Sequence, residues 1–260
     1  MVDGKPFIKT MRTLALVGVS AAIGVVMANE QGAESKPASK PLDKWAQHYY
    51  DRVAQFKREN AAARNIVMVG SSHIEGFDTA KLLPGRRIVN RGISSDRIGI
   101  DERGILHRLD SSVFDCSPGI VIIENGVNDL GELWRNGTPS IDAIDACYRE
   151  VVKRIRTRLP DVPLLIVGLF PTRDRYAGLK DSIVEFNGRL AKIAADHGCP
   201  FMDVYEPFAD GEGLLRKEYA RDGLHLTPAG YKLWAELIEQ ALVRLDASPD
   251  HPAPVDSPAP

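Results

Sequence analysis

Only three cysteines occur in the 260 residues, Cys116, Cys147 and Cys199, and no two stand in a Cys-x-x-Cys spacing. That excludes a zinc-ribbon or thioredoxin-like motif and a disulfide scaffold. At most one internal bridge is open to three thiols; small buried side chains are their ordinary use. Neither sign of charge is in surplus, since 33 Lys and Arg against 35 Asp and Glu leave a net −2. With no basic patch interleaved with aromatics, nothing points to nucleic acid. No GxGxxG or GxxxxGK[ST] follows the first folded strand, so a nucleotide-binding domain is set aside.

Long apolar runs are also missing. The longest, Thr13 to Met27, falls short of the roughly 20 residues that a membrane span needs. Lys5, Lys9 and Arg12 precede it and small residues close it, the pattern of a secretory signal peptide cut after Ala28. An uncleaved N-terminal anchor is the alternative; with no cysteine after the run, a lipoprotein is not expected. The protein is therefore expected to be exported, periplasmic or secreted, and to contact a membrane only if this segment stays attached. Residues 29–41 read as a polar linker and 247–260 as a disordered Pro-rich tail. One folded domain, 42–246, is left between them, and its share of a 44% hydrophobic composition can fill a sizeable core.

Within that domain, strand-like and helix-like patterns alternate. Asp43 to Ala63 carries Trp45, Tyr49, Val53 and Phe56 at three- and four-residue steps, a helix whose aromatic stripe reads as core packing. Ile66–Val69 is an apolar strand that stops at Gly70. Further strands are expected over 87–90, 119–124, 163–168 and 200–204. Helices are expected over 96–109, 140–159 and 182–197, and one more behind Thr227 and Pro228, a capping residue and a first-turn proline. The class is α/β: three layers, α/β/α, around a five-stranded parallel sheet, with a flavodoxin-like order 2-1-3-4-5.

In such sheets chemistry gathers beyond the carboxyl ends of the strands. Ser71, Ser72 and His73 follow the first strand, Gly92 the second, Asn128 the third, and Asp222 with His225 the fifth. Serines there also serve as plain helix caps. Ester hydrolysis by serine needs a hydroxyl, a base of near-neutral pKa, a carboxylate to orient the base and donors for an oxyanion. Each part occurs once, at a separate strand end.

The motifs resemble those of the SGNH (GDSL-type) hydrolase superfamily. Gly70-Ser71-Ser72 is similar to its Gly-Asp-Ser block and Asn90-Arg91-Gly92-Ile93 to its glycine block. Gly126-Val127-Asn128-Asp129 is similar to its Gly-x-Asn-Asp block, and Asp222-Gly223-Leu224-His225 to its Asp-x-x-His block. The stretch 90–109 further resembles the platelet-activating-factor acetylhydrolase-like branch. The resemblance implies Ser72 as nucleophile, His225 as base and Asp222 as its orienting carboxylate. It implies an oxyanion hole from the Ser72 and Gly92 N–H groups and the Asn128 amide, with no cofactor and no metal. Ser71 stands where the family usually has Asp, which makes it a rival nucleophile. His73 adjoins the site as a candidate substrate contact, with Glu75 its nearest carboxylate in sequence. Asp129 reads as a structural acceptor, and Arg173, Arg175 and Tyr176 as a solvated loop or a substrate-side wall.

The expected function is an exported esterase acting on a small-molecule ester of short to medium acyl length, O-acetyl groups on carbohydrate among the candidates. Lysophospholipase, thioesterase or O-acyltransferase work uses the same triad, and a non-catalytic binding protein on this scaffold is the reading from another class. Acyl length, alcohol moiety and oligomeric state are not written in the motifs.

Overall fold

The computed structural model describes residues 42–59 and 66–246. The anticipated leader, linker and tail lie outside the described residues. Five strands, β1 (Ile66–Gly70), β2 (Ile88–Gly92), β3 (Ile120–Glu124), β4 (Leu164–Val167) and β5 (Phe201–Met202), form one sheet of order 2-1-3-4-5. Every pairing is parallel. The expected class and strand order are those observed.

Alternation along each strand sends its side chains to two separate cores. Val121, Ile123, Leu164 and Ile166 pack on one face with Tyr148, Val151 and Ile155 of α6 (Ile141–Arg158) and with Ile183, Phe186 and Leu190 of α7 (Lys180–Asp196). Ile122, Leu165 and Val167 pack on the other with Trp234, Ile238 and Leu242 of α9 (Pro228–Asp246). Each large apolar side chain so buried contributes about 1.5–3 kcal/mol. The spacing that predicts these helices is the spacing that reaches the sheet. Ser140 caps α6 by accepting from the Ala143 N–H at 3.2 Å, and Thr227 caps α9 by accepting from Gly230 at 3.3 Å. Among the described residues no helix is long and apolar enough to cross a membrane.

Helix α1 (Lys44–Glu59) buries Tyr49 and Phe56, but Trp45 is 45% exposed, so the aromatic stripe is not all core. The expected end of that helix, 60–63, falls outside the described residues. The helix expected over 96–109 does not form. Ile98, Ile105 and Leu109 are buried at helix-like intervals, yet Gly99 and Gly104 have φ of +123° and +127°. Only glycine adopts such angles readily, and the chain folds into a loop closed by Ile105 N–H to Arg97 O at 3.0 Å. It ends in a 3-10 turn and the short α4 (Leu109–Ser112). Conversely, α5 (Val127–Asn136) forms where no helix is expected from the sequence pattern. Its start at Gly126 (φ +128°) and end at Gly137 (φ +71°) are both set by backbone angles. The remaining helices, α2 (Ser72–Glu75), α3 (Thr79–Leu82) and α8 (Tyr205–Phe208), are single turns.

Candidate active site

Ser72 is the first residue of α2, one step past the N-cap Ser71 that follows β1. Helix α2 can lie this close because Gly92, opposite Gly70 in the β1–β2 register, has no side chain. Ser72 Oγ stands 3.0 Å from His225 Nε2, and His225 Nδ1 stands 2.8 Å from Asp222 Oδ2. Asp222 Oδ1 also accepts the backbone N–H groups of His225 at 2.9 Å and Leu224 at 3.2 Å. One short loop thus shapes itself around its own carboxylate. Gly223 (φ +86°) permits the turn, and the Gly223 carbonyl accepts the Arg173 N–H at 2.8 Å. Arg173 is itself buried, with its guanidinium on the Leu215 carbonyl, so it clamps this loop and does not form a substrate wall.

The electrostatics follow from these contacts. Partial burial resists ionisation of Asp222, but the N–H and ring of His225 and the Leu224 N–H outweigh it and hold the carboxyl well below its usual range. Burial draws His225 below the ordinary histidine value, against the pull of Asp222, with His73 and Arg221 adding to the lowering. A neutral ring that donates Nδ1–H to Asp222 presents the Nε2 lone pair to the Ser72 hydroxyl.

Asn128, in the first turn of α5, reaches the same cleft; one of its amide hydrogens is donated to the Asp96 carbonyl at 2.8 Å. The Asp96 carboxylate is held by buried Arg108 at 2.7 Å, and Arg108 also donates to the carbonyls of Gly70 and Arg91. The strand ends under the cleft are thereby tied together. Asp129 is buried and accepts from the Ile98 N–H at 3.1 Å; burial pushes its carboxyl up to about 8.

The structure corrects the place given to Gly92. Its N–H is bonded to Asn90 Oδ1 at 2.9 Å, and it lies within the end of β2, away from the cleft lining. The backbone that approaches it belongs to α2. Three residues on, Ser95 is exposed, has φ +62°, and lines the cleft with Ser72, Asn128 and His225. The Ser95 N–H has no hydrogen-bond partner among the described residues. No sequence signal marks Ser95, because serine seldom takes that angle. Ser71 is fully buried, which removes it as a rival nucleophile, and His73 is buried beneath the cleft with no face open to substrate.

The cleft holds about 520 Å³, and Trp45, Tyr176, Arg135 and Arg221 stand on its walls. A larger groove of about 1030 Å³ runs between α3 and α9; it contains neither Ser72, Asn128 nor His225, so the candidate residues gather at the smaller cleft. All three cysteines are free. Among the described residues no group of three His, Cys, Asp or Glu side chains is gathered as a metal site requires.

A family model described as GDSL-like Lipase/Acylhydrolase matches residues 76–233, opening just past Ser72 and taking in Asn128, Asp222 and His225. The chain is 23% identical over 233 residues to platelet-activating factor acetylhydrolase IB subunit alpha2 of Rattus norvegicus, covering 84% of this chain and 95% of that protein. A GDSL-like lipase of Bacteroides thetaiotaomicron superposes with a TM-score of 0.63 at 22% identity, over 78% of this chain and 98% of that one. An acetylxylan esterase of Geobacillus stearothermophilus, solved as catalytic mutants of a serine and of a histidine, is similar too. Its serine mutant superposes with a TM-score of 0.54 at 16% identity, over 70% and 95% of the two chains.

Proposed function

The chain belongs to the GDSL-like lipase/acylhydrolase family, and we propose that it is an exported serine esterase working through Ser72, His225 and Asp222. The observation that carries this reading is the unbroken line from Ser72 Oγ through the His225 ring to Asp222, at 3.0 and 2.8 Å.

Ser72 Oγ attacks the acyl carbonyl while its proton passes to His225 Nε2, and Asp222 stabilises the imidazolium. The carbonyl oxygen, now negative, is met by the Ser72 N–H, the second amide hydrogen of Asn128 and the Ser95 N–H, which takes the part first given to Gly92. Collapse breaks the ester C–O bond, and His225 returns its proton to the leaving alcohol. A water then repeats the sequence on the acyl-serine: His225 takes its proton, the acid departs, and Ser72 recovers its hydrogen.

Short acyl groups suit the site. Both the acetylxylan esterase and the acetylhydrolase carry an acetyl group in their names. Trp45 and Tyr176 on the cleft wall are aromatic side chains of the kind that pack against sugar rings, which supports O-acetyl carbohydrate as one substrate. The test is turnover of p-nitrophenyl esters from acetyl to dodecanoyl by the full chain, beside Ser72→Ala. We expect an optimum at the short end and a loss of at least about 10³-fold in the variant. Turnover that survives Ser72→Ala overturns the assignment.

Export is part of the same proposal, supported by Lys5, Lys9 and Arg12 ahead of the apolar 13–27 stretch. Sequencing the N-terminus of the protein recovered from outside the cytoplasm should read from Asn29. An intact Met1 there would instead mean an anchor.

A further inference from the structure

His73 follows Ser72 in the chain yet is 1% exposed, and the chemistry above gives it no task. Its Nε2 lies 3.1 Å from the carbonyl oxygen of Leu224, the residue before His225. Its Nδ1 lies 3.5 Å from Oε1 of Glu124, which is fully buried at the end of β3. A backbone carbonyl only accepts a hydrogen bond, and so does a carboxylate. The ring meets both neighbours as a donor only when each nitrogen carries hydrogen, as an imidazolium. Glu124 supplies the opposite charge that makes such a cation tolerable in the core.

We propose that the buried His73–Glu124 pair is a second histidine–carboxylate couple that acts on His225 from beneath, by holding its loop and by the charge it carries. His73 is thus a positioning residue, since it touches no substrate. The mechanical part runs through the Leu224 carbonyl, which places His225 over Ser72. The electrical part runs through space: the rings of His73 and His225 are 5.9 Å apart at their centroids. The other charged or titratable groups facing His225 are Asp222 on its own loop, Ser72 on α2 and Arg221 on the approach to the loop. His73 itself faces Glu124 from β3, Asp222 and His225 from the loop, and the apolar ring of Phe170 behind β4. Burial alone would leave His73 neutral; the Glu124 carboxylate outweighs it and raises the His73 pKa above the ordinary value. A fixed cation at that distance disfavours a second one, so His225 stays a free base further into the acid range.

The consequence for turnover rests on the esterase reading; the charge on His73 does not. The test uses the 15N-labelled full chain, with imidazole nitrogen spectra recorded between pH 5 and 9. Wild type is compared with His73→Gln, which keeps a donor for Leu224 but no charge, and with Glu124→Gln. We expect both His73 nitrogens to remain protonated at pH 7. In both variants the His225 titration and the acid limb of kcat/KM should move up by about one pH unit. A neutral His73 with a single tautomer at pH 7 overturns the proposal, and so does an unmoved His225 titration in a folded variant. Should Glu124→Gln fail to fold, the wild-type spectrum and His73→Gln still decide. A wild type without ester turnover overturns the esterase reading alone, because the spectra need no substrate.

Discussion

Gly92 lies against the backbone of Glu75: a β-carbon on Gly92 would stand 2.0 Å from the Glu75 nitrogen and 2.5 Å from its Cα. No side-chain rotation relieves that overlap, so Gly92→Ala must push α2, and Ser72 with it, off β2. Overpacking of this kind costs about 1–3 kcal/mol or more. Thermal melts should show a clear drop, with turnover falling alongside. Ser95→Gly is the contrasting case, since glycine adopts φ +62° without strain and keeps the N–H. It should melt within about 1 kcal/mol of wild type and keep turnover within about threefold. A Gly92→Ala protein of unchanged stability would contradict the packing described here.

Asn128 carries a cleaner catalytic prediction. Asn128→Ala removes the proposed oxyanion donor and should lower kcat by about 10²–10³ with a smaller change in KM. It also frees the Asp96 carbonyl, so its melting temperature belongs beside the kinetics. An unchanged kcat would remove Asn128 from the oxyanion site.

The pH profile has a fixed sign. In the proposed mechanism His225 takes the serine proton only as a free base, and its pKa lies below the ordinary 6.5, chiefly through burial. The profile of kcat/KM should be flat near neutrality and fall on the acid side of that value. Asp222→Asn withdraws the carboxylate that orients the ring, and should lower kcat by about 10⁴. An acid limb centred above pH 7 in the wild type would contradict the environment seen around His225.

Asp129 couples stability to pH in the opposite sense to most carboxylates. Its folded pKa is raised to about 8 by burial, against an ordinary 3.8. Between those values the folded state keeps a proton that the unfolded chain has released, so stability falls as pH rises. Urea unfolding at pH 5 and pH 8.5 should differ by at least about 1 kcal/mol from this group. Asp129→Asn should flatten the difference, and a slope equal in both proteins would rule out a protonated Asp129.

The chain itself determined the sheet and the residues of the proposed triad. Apolar runs of strand length alternate with helix-period stretches, and side-chain alternation leaves few ways to cover both faces of the resulting sheet. Ser72 and Asn128 were legible because each stands just past a strand, where a parallel sheet turns every chain end toward one edge, and Asp222 and His225 because their three-residue spacing falls in the last loop before α9. Only the tertiary structure decided the rest. Gly92 proved to be a spacer for α2, and Ser95 the free N–H, because backbone angle and hydrogen-bond commitment are properties of the packed loop. The 96–109 segment imitates a helix in its apolar spacing, and the angles at Gly99 and Gly104 overrule it. His73 and Glu124 lie 51 residues apart in the chain and meet because β1 pairs with β3. Short-range pattern records which residues are buried; which buried residues touch is settled by strand order and register.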